Sequence, residues 1–193
     1  MFAQFAGLEL ETAPGRVFTP RAATEQLVDA ALAQTDGKPL RVADVGTGTG
    51  AIAVALAMRA PRIEVWATDR NEAAVGVARR NAERHGVDDR VHVIEGNLLD
   101  AVAGPFDLIV ANLPYLPDSL HRDEYDTEPD DAVYAPGDGL CYYRRLLDTC
   151  EEGKLVIPGG KVLLQFHREV LEADCWQLKD LRARLEEMQE RAA

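Results

Sequence analysis

The chain has 193 residues, 47% of them hydrophobic and 28% charged, which is the composition of a folded globular domain and excludes disordered and collagen-like proteins. Its 21 basic and 33 acidic residues give a net charge of −12, which disfavours nucleic acid as a partner because phosphate groups need a basic surface. No apolar run reaches the ~18 residues that span a bilayer, and the scattered cysteines fit a reducing compartment, so we expect a cytoplasmic protein without a membrane anchor.

Short apolar runs alternate with amphipathic stretches along the chain, a pattern typical of β-α-β units whose strands lie parallel. The first predicted element is a helix over residues 22–34, with Thr19 and Pro20 at its start, and we expect it to cover the ligand end of the sheet. Strands are predicted at residues 41–45, 63–68, 91–95, 106–111 and 161–166. A turn is predicted at Pro158-Gly159-Gly160, before the last of these strands. Helices are predicted at residues 51–59, 71–85 and 140–152.

The last part of the chain predicts one long helix, because its apolar residues recur at spacings of three and four. These residues are Leu171, Cys175, Leu178, Leu181, Leu185 and Met188. The fifth strand would be an apolar sheet edge, so we expect either this helix or the partner of a homodimer to cover it. The apolar stripe of the helix either packs within the chain or forms part of a homodimer contact. We predict one domain, made of an N-terminal segment with the covering helix (1–37), a cofactor-binding core (38–170) and a C-terminal helix (171–193).

A glycine-rich turn, Asp44-Val45-Gly46-Thr47-Gly48-Thr49-Gly50, joins the first strand to its helix. Glycines at this junction let a ligand approach the backbone and the helix N-terminus, which predicts a cofactor site. The string also matches G-x-G-x-x-A, so a dinucleotide and a nucleoside ligand both stay open. Asp44 either receives the ammonium group of a cofactor or only fixes the turn. Asp69, at the end of the second strand, either accepts both hydroxyls of a ribose or caps the next helix, and we favour the ribose.

The motif Asn112-Leu113-Pro114-Tyr115 closes the fourth strand, at the sheet edge where open α/β sheets bind ligands. An asparagine oxygen, a nearby backbone carbonyl and an aromatic face can hold a planar NH2 group by accepting its hydrogens and stacking on it. The lone pair of such a nitrogen is delocalised, so the useful work is to steer it toward a strong electrophile such as a methyl sulfonium. The alternative is a strand-ending turn with a packed tyrosine.

In this order, VADVGTGTGAIAVALA and NLPY resemble the motifs of class I S-adenosylmethionine-dependent methyltransferases, and most closely those of the release-factor glutamine N5-methyltransferases, the HemK-like group. The resemblance runs from about Gly15 to Phe166. Residues 17–25, VFTPRAATE, resemble the group's I-P-R-P-E-T-E segment. Glu128-Pro129 resembles the start of its E-P-x-x-A-L segment, and residues 138–144, DGLCYYR, resemble its D-G-L-x-x-Y-R segment. It implies a Rossmann-like α/β fold with a mostly parallel twisted sheet of about five strands flanked by helices. We expect the chain to lack the group's helical N-terminal domain and to carry a terminal helix in place of the usual last strands.

The resemblance also implies a role for each motif residue, with S-adenosyl-L-methionine as the cofactor and no metal. Asn112, Pro114 and Tyr115 would be catalytic, and with Leu113 they would seat the side-chain amide of a glutamine in a Gly-Gly-Gln loop of a release factor. The glycine turn would wrap the methionine part of the cofactor, Asp69 the ribose, and Asn97 with Leu98 the adenine edge. The implied cofactor-binding residues are Asp44, Gly46, Thr47, Gly48, Thr49, Gly50, Asp69, Asn97, Leu98 and Asn112.

Departures from the group's pattern leave more than one function open. Asn97 replaces an aspartate, which keeps an acceptor for the adenine amine but loses its charge. Leu113 replaces a proline, and N-L-P-Y is also the form found in ribosomal RNA adenine dimethyltransferases. In place of the group's L-E-I-G, this chain has Gln165-Phe166-His167. The alternatives to protein glutamine are an adenine N6 or small-molecule amine, and a non-catalytic cofactor-binding subunit. The acidic run over residues 123–131 is either a solvated loop or a surface that attracts a basic protein partner.

Overall fold

A computed structural model describes residues 1–166 and, from the last part of the chain, Leu181, Ala183, Arg184, Glu186 and Glu187. Most of the predicted terminal helix, and with it the homodimer contact along its apolar stripe, therefore lies outside the described residues. Leu181 is helical and buried. The guanidinium of Arg184 bonds to the carboxylates of Asp148 (2.9 Å) and Glu151 (3.0 Å).

Strands and helices alternate through the described core, and a short hairpin precedes them. In chain order the elements are β1 (Phe2–Phe5), β2 (Leu8–Glu11), α1 (Glu25–Leu32), β3 (Leu40–Val45), α2 (Ala51–Arg59), β4 (Ile63–Asp69), α3 (Glu72–Arg84), β5 (Val91–Glu95), β6 (Phe106–Ala111), β7 (Leu116–Pro117), α4 (Asp130–Val133), β8 (Tyr134–Ala135), α5 (Cys141–Glu152) and β9 (Val156–Leu164). Within this described part, no helix has the length and apolar character needed to cross a membrane.

The central sheet confirms the predicted Rossmann-like arrangement, with five parallel strands in the order β5-β4-β3-β6-β9. Val45, the last residue of β3, pairs with Thr68 of β4 on one side and with Ala111 of β6 on the other. The chain lays β4 and β5 on one side of β3 and then crosses over to start β6, so the strand order reverses at β3. A reversal of this kind opens a crevice at the carboxyl ends of the strands, where such folds bind ligands.

Each face of the sheet buries its own apolar cluster. Successive side chains of β3 point to opposite faces, so Val42 joins the cluster that contains α1 and α2 whereas Ala43 joins the cluster that contains α5. The α2 helix is buried from Ala51 to Ala57, since it packs against α1, β4 and α3. This burial explains why the α2 sequence is apolar all round.

The hairpin β1–β2 is a feature that the sequence analysis did not predict. Its strands are four residues long, and an isolated two-stranded hairpin is marginal in water, so it depends on docking. Phe5 and Leu10 are buried in the core. The backbone N–H of Glu11 donates to Asn81 Oδ1 (2.7 Å), and the Glu11 carboxylate pairs with Arg80 (2.8 Å), which joins the hairpin to α3.

Predictions at both ends of the core were wrong in detail. Thr19 caps no helix: a 3₁₀ turn at Ala22–Thr24 precedes α1, and the Thr19 N–H donates to the Glu128 carboxylate (2.9 Å) instead. The turn predicted at Pro158-Gly159-Gly160 lies inside β9, which starts at Val156 rather than at residue 161. The strand accommodates it as an irregularity, because Gly159 takes a φ of +77° and the register with β6 shifts there.

Candidate functional site

A cavity of about 830 Å³ opens at the carboxyl ends of the central strands, beneath the 3₁₀ turn and α1. The structure brings most of the predicted site residues together in its wall, namely Gly46, Thr47, Gly48, Thr49, Asp69, Asn97, Leu98, Asn112, Leu113, Pro114 and Tyr115. Asp44 and Gly50 are also predicted site residues but do not line the cavity. The glycine turn and the N-L-P-Y motif, which lie far apart in the sequence, thus share one ligand-sized space.

The glycine turn has a conformation that side chains would obstruct. Gly46, Gly48 and Gly50 have φ values of +71°, +57° and +79°, all in the left-handed region. A Cβ on Gly46 would come within 2.6 Å of Leu113 Cδ2, so the turn packs directly against the N-L-P-Y motif. A Cβ on Gly48 would meet nothing within 4 Å, which leaves room for a ligand at that part of the cavity wall.

Asp44 supports the turn from behind. It is fully buried, and its Oδ2 accepts hydrogen bonds from Thr47 Oγ1 (2.6 Å) and from the N–H of Ala53 (3.2 Å). Its Oδ1 has no hydrogen-bond partner in the described part of the chain. Burial raises the pKa of the Asp44 carboxyl to about 7. The turn-fixing role is therefore visible in the geometry, while contact with a cofactor ammonium group stays a prediction.

Asp69 faces the same turn from the end of β4. Its Oδ2 accepts a hydrogen bond from the N–H of Gly48 (2.8 Å) and its Oδ1 one from the N–H of Asn71 (2.9 Å). Burial raises the pKa of the Asp69 carboxyl, although these two N–H groups oppose the shift. The alternative interpretation of Asp69 as a helix cap was wrong, because Asn71 caps α3 by accepting from the N–H of Ala73 (2.9 Å).

Asn97 and Leu98, which are predicted to contact the adenine edge, lie on a turn with unusual backbone geometry. Leu98 has a φ of +55°, a conformation that side chains rarely adopt and that tends to occur at functional sites. Asn97 and Leu98 both line the cavity, next to the end of β5. Their assignment to adenine stays a prediction.

The Asn112 amide is oriented by a residue that the sequence analysis did not single out. Its Nδ2 donates to Thr24 Oγ1 (3.2 Å), which lies on the 3₁₀ turn that covers the cavity. Because the nitrogen is engaged in this way, the Oδ1 of the same amide is the group left to accept from a ligand. No spacing in the sequence indicates this contact, since the two residues are 88 positions apart.

The main chain of the N-L-P-Y motif is held by a buried tyrosine. The Tyr143 hydroxyl accepts from the N–H of Leu113 (3.0 Å) and lies within donating distance of the carbonyl oxygens of Leu113 (2.9 Å) and Gln165 (2.8 Å). Burial raises the pKa of Tyr143 well above its usual value, so the hydroxyl keeps its proton. Tyr143 is the tyrosine of the D-G-L-x-x-Y-R segment, which gives that segment a structural purpose.

Other residues of the D-G-L-x-x-Y-R segment also pack against the N-L-P-Y motif. Gly139 has a φ of +84°, and a Cβ there would overlap the carbonyl oxygen of Tyr115. Asp138 accepts from the N–H of Leu140 (3.1 Å) and pairs with Arg144, whose guanidinium lowers the pKa of the Asp138 carboxyl. The segment therefore fits closely behind the N-L-P-Y loop.

The T-P-R and E-P segments meet on the other side of the cavity. Glu128, whose side chain is only 3% exposed, accepts from the N–H of Thr19 (2.9 Å) and from Arg21 (3.1 Å). The Arg21 guanidinium also lies 5.5 Å from the ring centroid of Phe18 and 5.4 Å from that of Tyr125. The acidic run is thus partly engaged within the chain rather than wholly exposed to a partner.

Tyr115 contributes an aromatic face and a hydroxyl that keeps its proton. Burial raises the pKa of Tyr115, and its ring centroid lies 6.2 Å from that of Phe166. A neutral phenol of this kind packs and donates a hydrogen bond, and it does not serve as a base near neutral pH.

The glycine turn, the acidic residue at the end of the second core strand and an N-x-P-Y motif around one cavity define a class I methyltransferase domain. The cavity wall fits S-adenosylmethionine, because the open space at Gly48 and the carboxylate of Asp69, which can accept hydrogen bonds from a ribose, lie on the same side of the cavity. A family model, the methyltransferase small domain, matches residues 19–125. The chain belongs to this family.

Relatives and solved structures agree with this assignment. A release factor glutamine methyltransferase of Deinococcus radiodurans is 44% identical over 84% of this chain and 58% of its own length. The enzyme of the same name from Escherichia coli is 35% identical over 84% of the chain and 58% of its own length. The chain thus spans less than two thirds of these relatives. A ribosomal protein L11 methylase of Lactobacillus delbrueckii superposes with a TM-score of 0.61 at 27% identity, over 91% of this chain and 72% of that one.

Proposed function

We propose that this domain is an S-adenosylmethionine-dependent N-methyltransferase that acts on the side-chain amide of a glutamine in a protein such as a peptide chain release factor. The observation that carries the proposal is the state of the Asn112 amide, whose Nδ2 is engaged by Thr24 while its Oδ1 is left for a ligand at the cavity. Identities of 35% to 44% with proteins named release factor glutamine methyltransferase support glutamine as the acceptor.

The proposal gives the cofactor the part of the cavity beside the glycine turn. The turn would hold the methionine part, Asp69 would accept the ribose hydroxyls, and Asn97 with Leu98 would meet the adenine edge. Asp44 and Gly50 would act from behind the cavity wall, because both shape the turn without lining the space. When bound, S-adenosylmethionine supplies a sulfonium methyl group, which passes to nitrogen as S-adenosylhomocysteine leaves and the nitrogen gives up one proton to water.

The proposal gives the acceptor the part of the cavity beside N-L-P-Y. Asn112 Oδ1 would accept one amide hydrogen and so turn the nitrogen lone pair toward the reacting methyl group. Pro114 would restrict the loop through its fixed φ, Leu113 would seat the loop on Gly46, and Tyr115 would offer its ring face. No general base is needed within the motif, because methyl transfer would leave a positive charge on the amide nitrogen, and a nitrogen in that state is acidic enough to release one proton to solvent.

The same proposal places the protein in the cytoplasm with a basic protein surface as its partner. A net charge of −12 repels RNA and attracts basic proteins. We also propose that the segments 1–37, 38–170 and 171–193 form one methyltransferase domain, with a homodimer contact through either the C-terminal helix or the edge of the fifth strand.

The test incubates the purified chain and isotope-labelled S-adenosylmethionine with a release factor, an adenine-containing RNA or small amines. We expect the label on a glutamine side chain of the release factor, located by peptide mass spectrometry. Label on adenine N6 or on a small amine instead would replace the proposed acceptor by the second function. Heat of binding with S-adenosylmethionine in a calorimeter, but no label on any of the acceptors, would leave the non-catalytic cofactor-binding subunit as the remaining function.

A further inference from the structure

The Thr24 hydroxyl accepts one hydrogen bond and still has its own hydrogen to donate. Its Oγ1 accepts from Asn112 Nδ2 (3.2 Å), and a hydroxyl can donate one bond while it accepts another. Within the described part of the chain, this hydroxyl donates to no other group. Thr24 is only 7% exposed and lines the cavity together with Asn112. Buried polar groups nearly always use their hydrogen-bonding capacity, so this hydrogen points to an acceptor on a ligand.

The backbone around Thr24 is held in place by several elements. Its N–H donates to the carbonyl of Arg21 (2.9 Å) within the 3₁₀ turn, and the Arg21 side chain is bonded to the buried Glu128 (3.1 Å). Helix α1 begins at the next residue and contacts β6, the strand that leads into Asn112, and β9. The fold itself therefore sets the Thr24 hydroxyl beside the Asn112 amide.

Thr24 and Asn112 together present a donor and an acceptor. Asn112 Oδ1 is left to accept, the Thr24 hydroxyl is left to donate, and the bond from Asn112 Nδ2 joins the two groups. A primary amide carries the matching pair, because its nitrogen donates and the oxygen on the same carbon accepts. An amide that meets both groups closes a ring of three hydrogen bonds, in which each bond polarises and strengthens the next.

We infer that Thr24 is a substrate-binding residue, whose hydroxyl donates to the carbonyl oxygen of the amide that is methylated. The inference rests on the proposed function and extends it by naming the acceptor class: an NH2 group whose carbon also carries a hydrogen-bond acceptor. Primary amides belong to this class, as does adenine, where ring nitrogen N1 neighbours the N6 amine, whereas simple amines do not. The bond to the oxygen fixes the rotation of the amide, so its nitrogen stays directed at the reacting methyl group.

The test compares two ligands that differ in one atom. With S-adenosylhomocysteine present, calorimetry measures the Kd of a Gly-Gly-Gln peptide and of the same peptide with sulfur, a weak acceptor, in place of the glutamine side-chain oxygen. The unmodified chain should prefer the oxygen peptide. Thr24→Val keeps the shape of the side chain without its hydroxyl, and we expect this preference to fall about fivefold, a typical effect of one neutral hydrogen bond. Thr24→Ser keeps the hydroxyl and should keep the preference.

The ratio of the two Kd values separates donation to the ligand from support of Asn112 alone. A Thr24 that only positions Asn112 would weaken both peptides equally in Thr24→Val, so an unchanged ratio would overturn the inference. Equal binding of the two peptides by the unmodified chain would overturn it as well, and that measurement needs no variant. The Kd for S-adenosylmethionine should be the same in all three chains, because the glycine turn is untouched.

A second pair of ligands separates this inference from the proposed function. If the unmodified chain methylates adenine rather than glutamine, the proposed function fails, and the comparison uses adenosine and 1-deazaadenosine, in which C–H replaces N1. A preference for adenosine that falls in Thr24→Val supports the inference. Equal binding of these two nucleosides, or binding of no ligand from either pair, contradicts it.

Discussion

The two halves of the cavity are built in different ways. On the cofactor side the bonds that support the turn come from Asp44 (three positions from Thr47), from Asp69 of β4 (21 from Gly48) and from Asn81 of α3 (32 from Thr49). On the acceptor side, Leu113 to Tyr143 spans 30 positions and Asn112 to Thr24 spans 88. The glycine turn is therefore held by β4 and α3, which follow it closely in the chain, whereas the N-L-P-Y loop depends on one segment that lies far before it and one that lies after it.

The largest expected effect separates the two halves functionally. Asn112→Ala removes the oxygen that orients the acceptor nitrogen, and we expect methyl transfer to fall about 10³-fold, near the upper end for loss of one preorganised polar group. The Kd for S-adenosylmethionine should change little, because the glycine turn and Asp69 are untouched. Single-turnover methylation and calorimetry measure the two quantities. Near-normal transfer in this variant would remove the amide-orienting role.

A glycine pair tests how closely the D-G-L segment fits behind the loop. Gly139→Ala forces a Cβ into the carbonyl of Tyr115 at a φ of +84°, and we expect a loss of about 3 kcal/mol in the free energy of unfolding together with reduced transfer. Gly137→Ala is the control, because its φ is +70° but nothing lies within 4 Å of the added atom. That variant should lose about 1 kcal/mol. Urea unfolding measures both, and equal losses would argue against close packing at Tyr115.

A tyrosine pair tests the hydroxyl that holds the loop. Tyr143→Phe leaves the N–H of Leu113 and one of the two nearby carbonyls, those of Leu113 and Gln165, without a hydrogen-bond partner, which should cost about 2 kcal/mol of folding stability and lower transfer. Tyr142→Phe removes the hydroxyl of the neighbouring residue, which among the described residues accepts from the exposed Arg70 alone (3.2 Å), and should change stability by less than about 0.5 kcal/mol. If the two variants unfold at the same urea concentration, Tyr143 does not hold the loop.

The smallest expected effect concerns the cofactor side and its dependence on pH. The folded-state pKa of Asp44 is raised to about 7 from 3.8, so the folded chain holds a proton that the unfolded chain has released between these values. The stability from this proton is present below about pH 4 and is lost as the pH rises through 7. Asp44→Asn cannot ionise, so its stability relative to the unmodified chain should rise by about 1 kcal/mol between pH 6 and pH 7. A constant difference, measured by urea unfolding at each pH, would show that Asp44 does not titrate in this range.

Much of the core was predictable because its signals are local. Strand β5 and strand β6 lie where their apolar runs predict, and the glycine turn falls at the junction of β3 and α2. The prediction failed at Pro158-Gly159-Gly160, where pairing with β6 extends β9 through residues that normally make a turn. It also missed the hairpin β1–β2, whose short strands acquire their stability from α3 rather than from their own sequence.

The sequence by itself determined the parallel α/β architecture, the position of the glycine turn and the order of the two motifs, because strand periodicity and glycine conformations act over a few residues. Only the tertiary structure decided which groups complete the acceptor side. Thr24 bonds to the Asn112 amide, and the Tyr143 hydroxyl joins the ends of β6 and β9. These contacts join side chains across 22 to 88 positions, and such pairs meet only when the packed sheet brings its strand ends together.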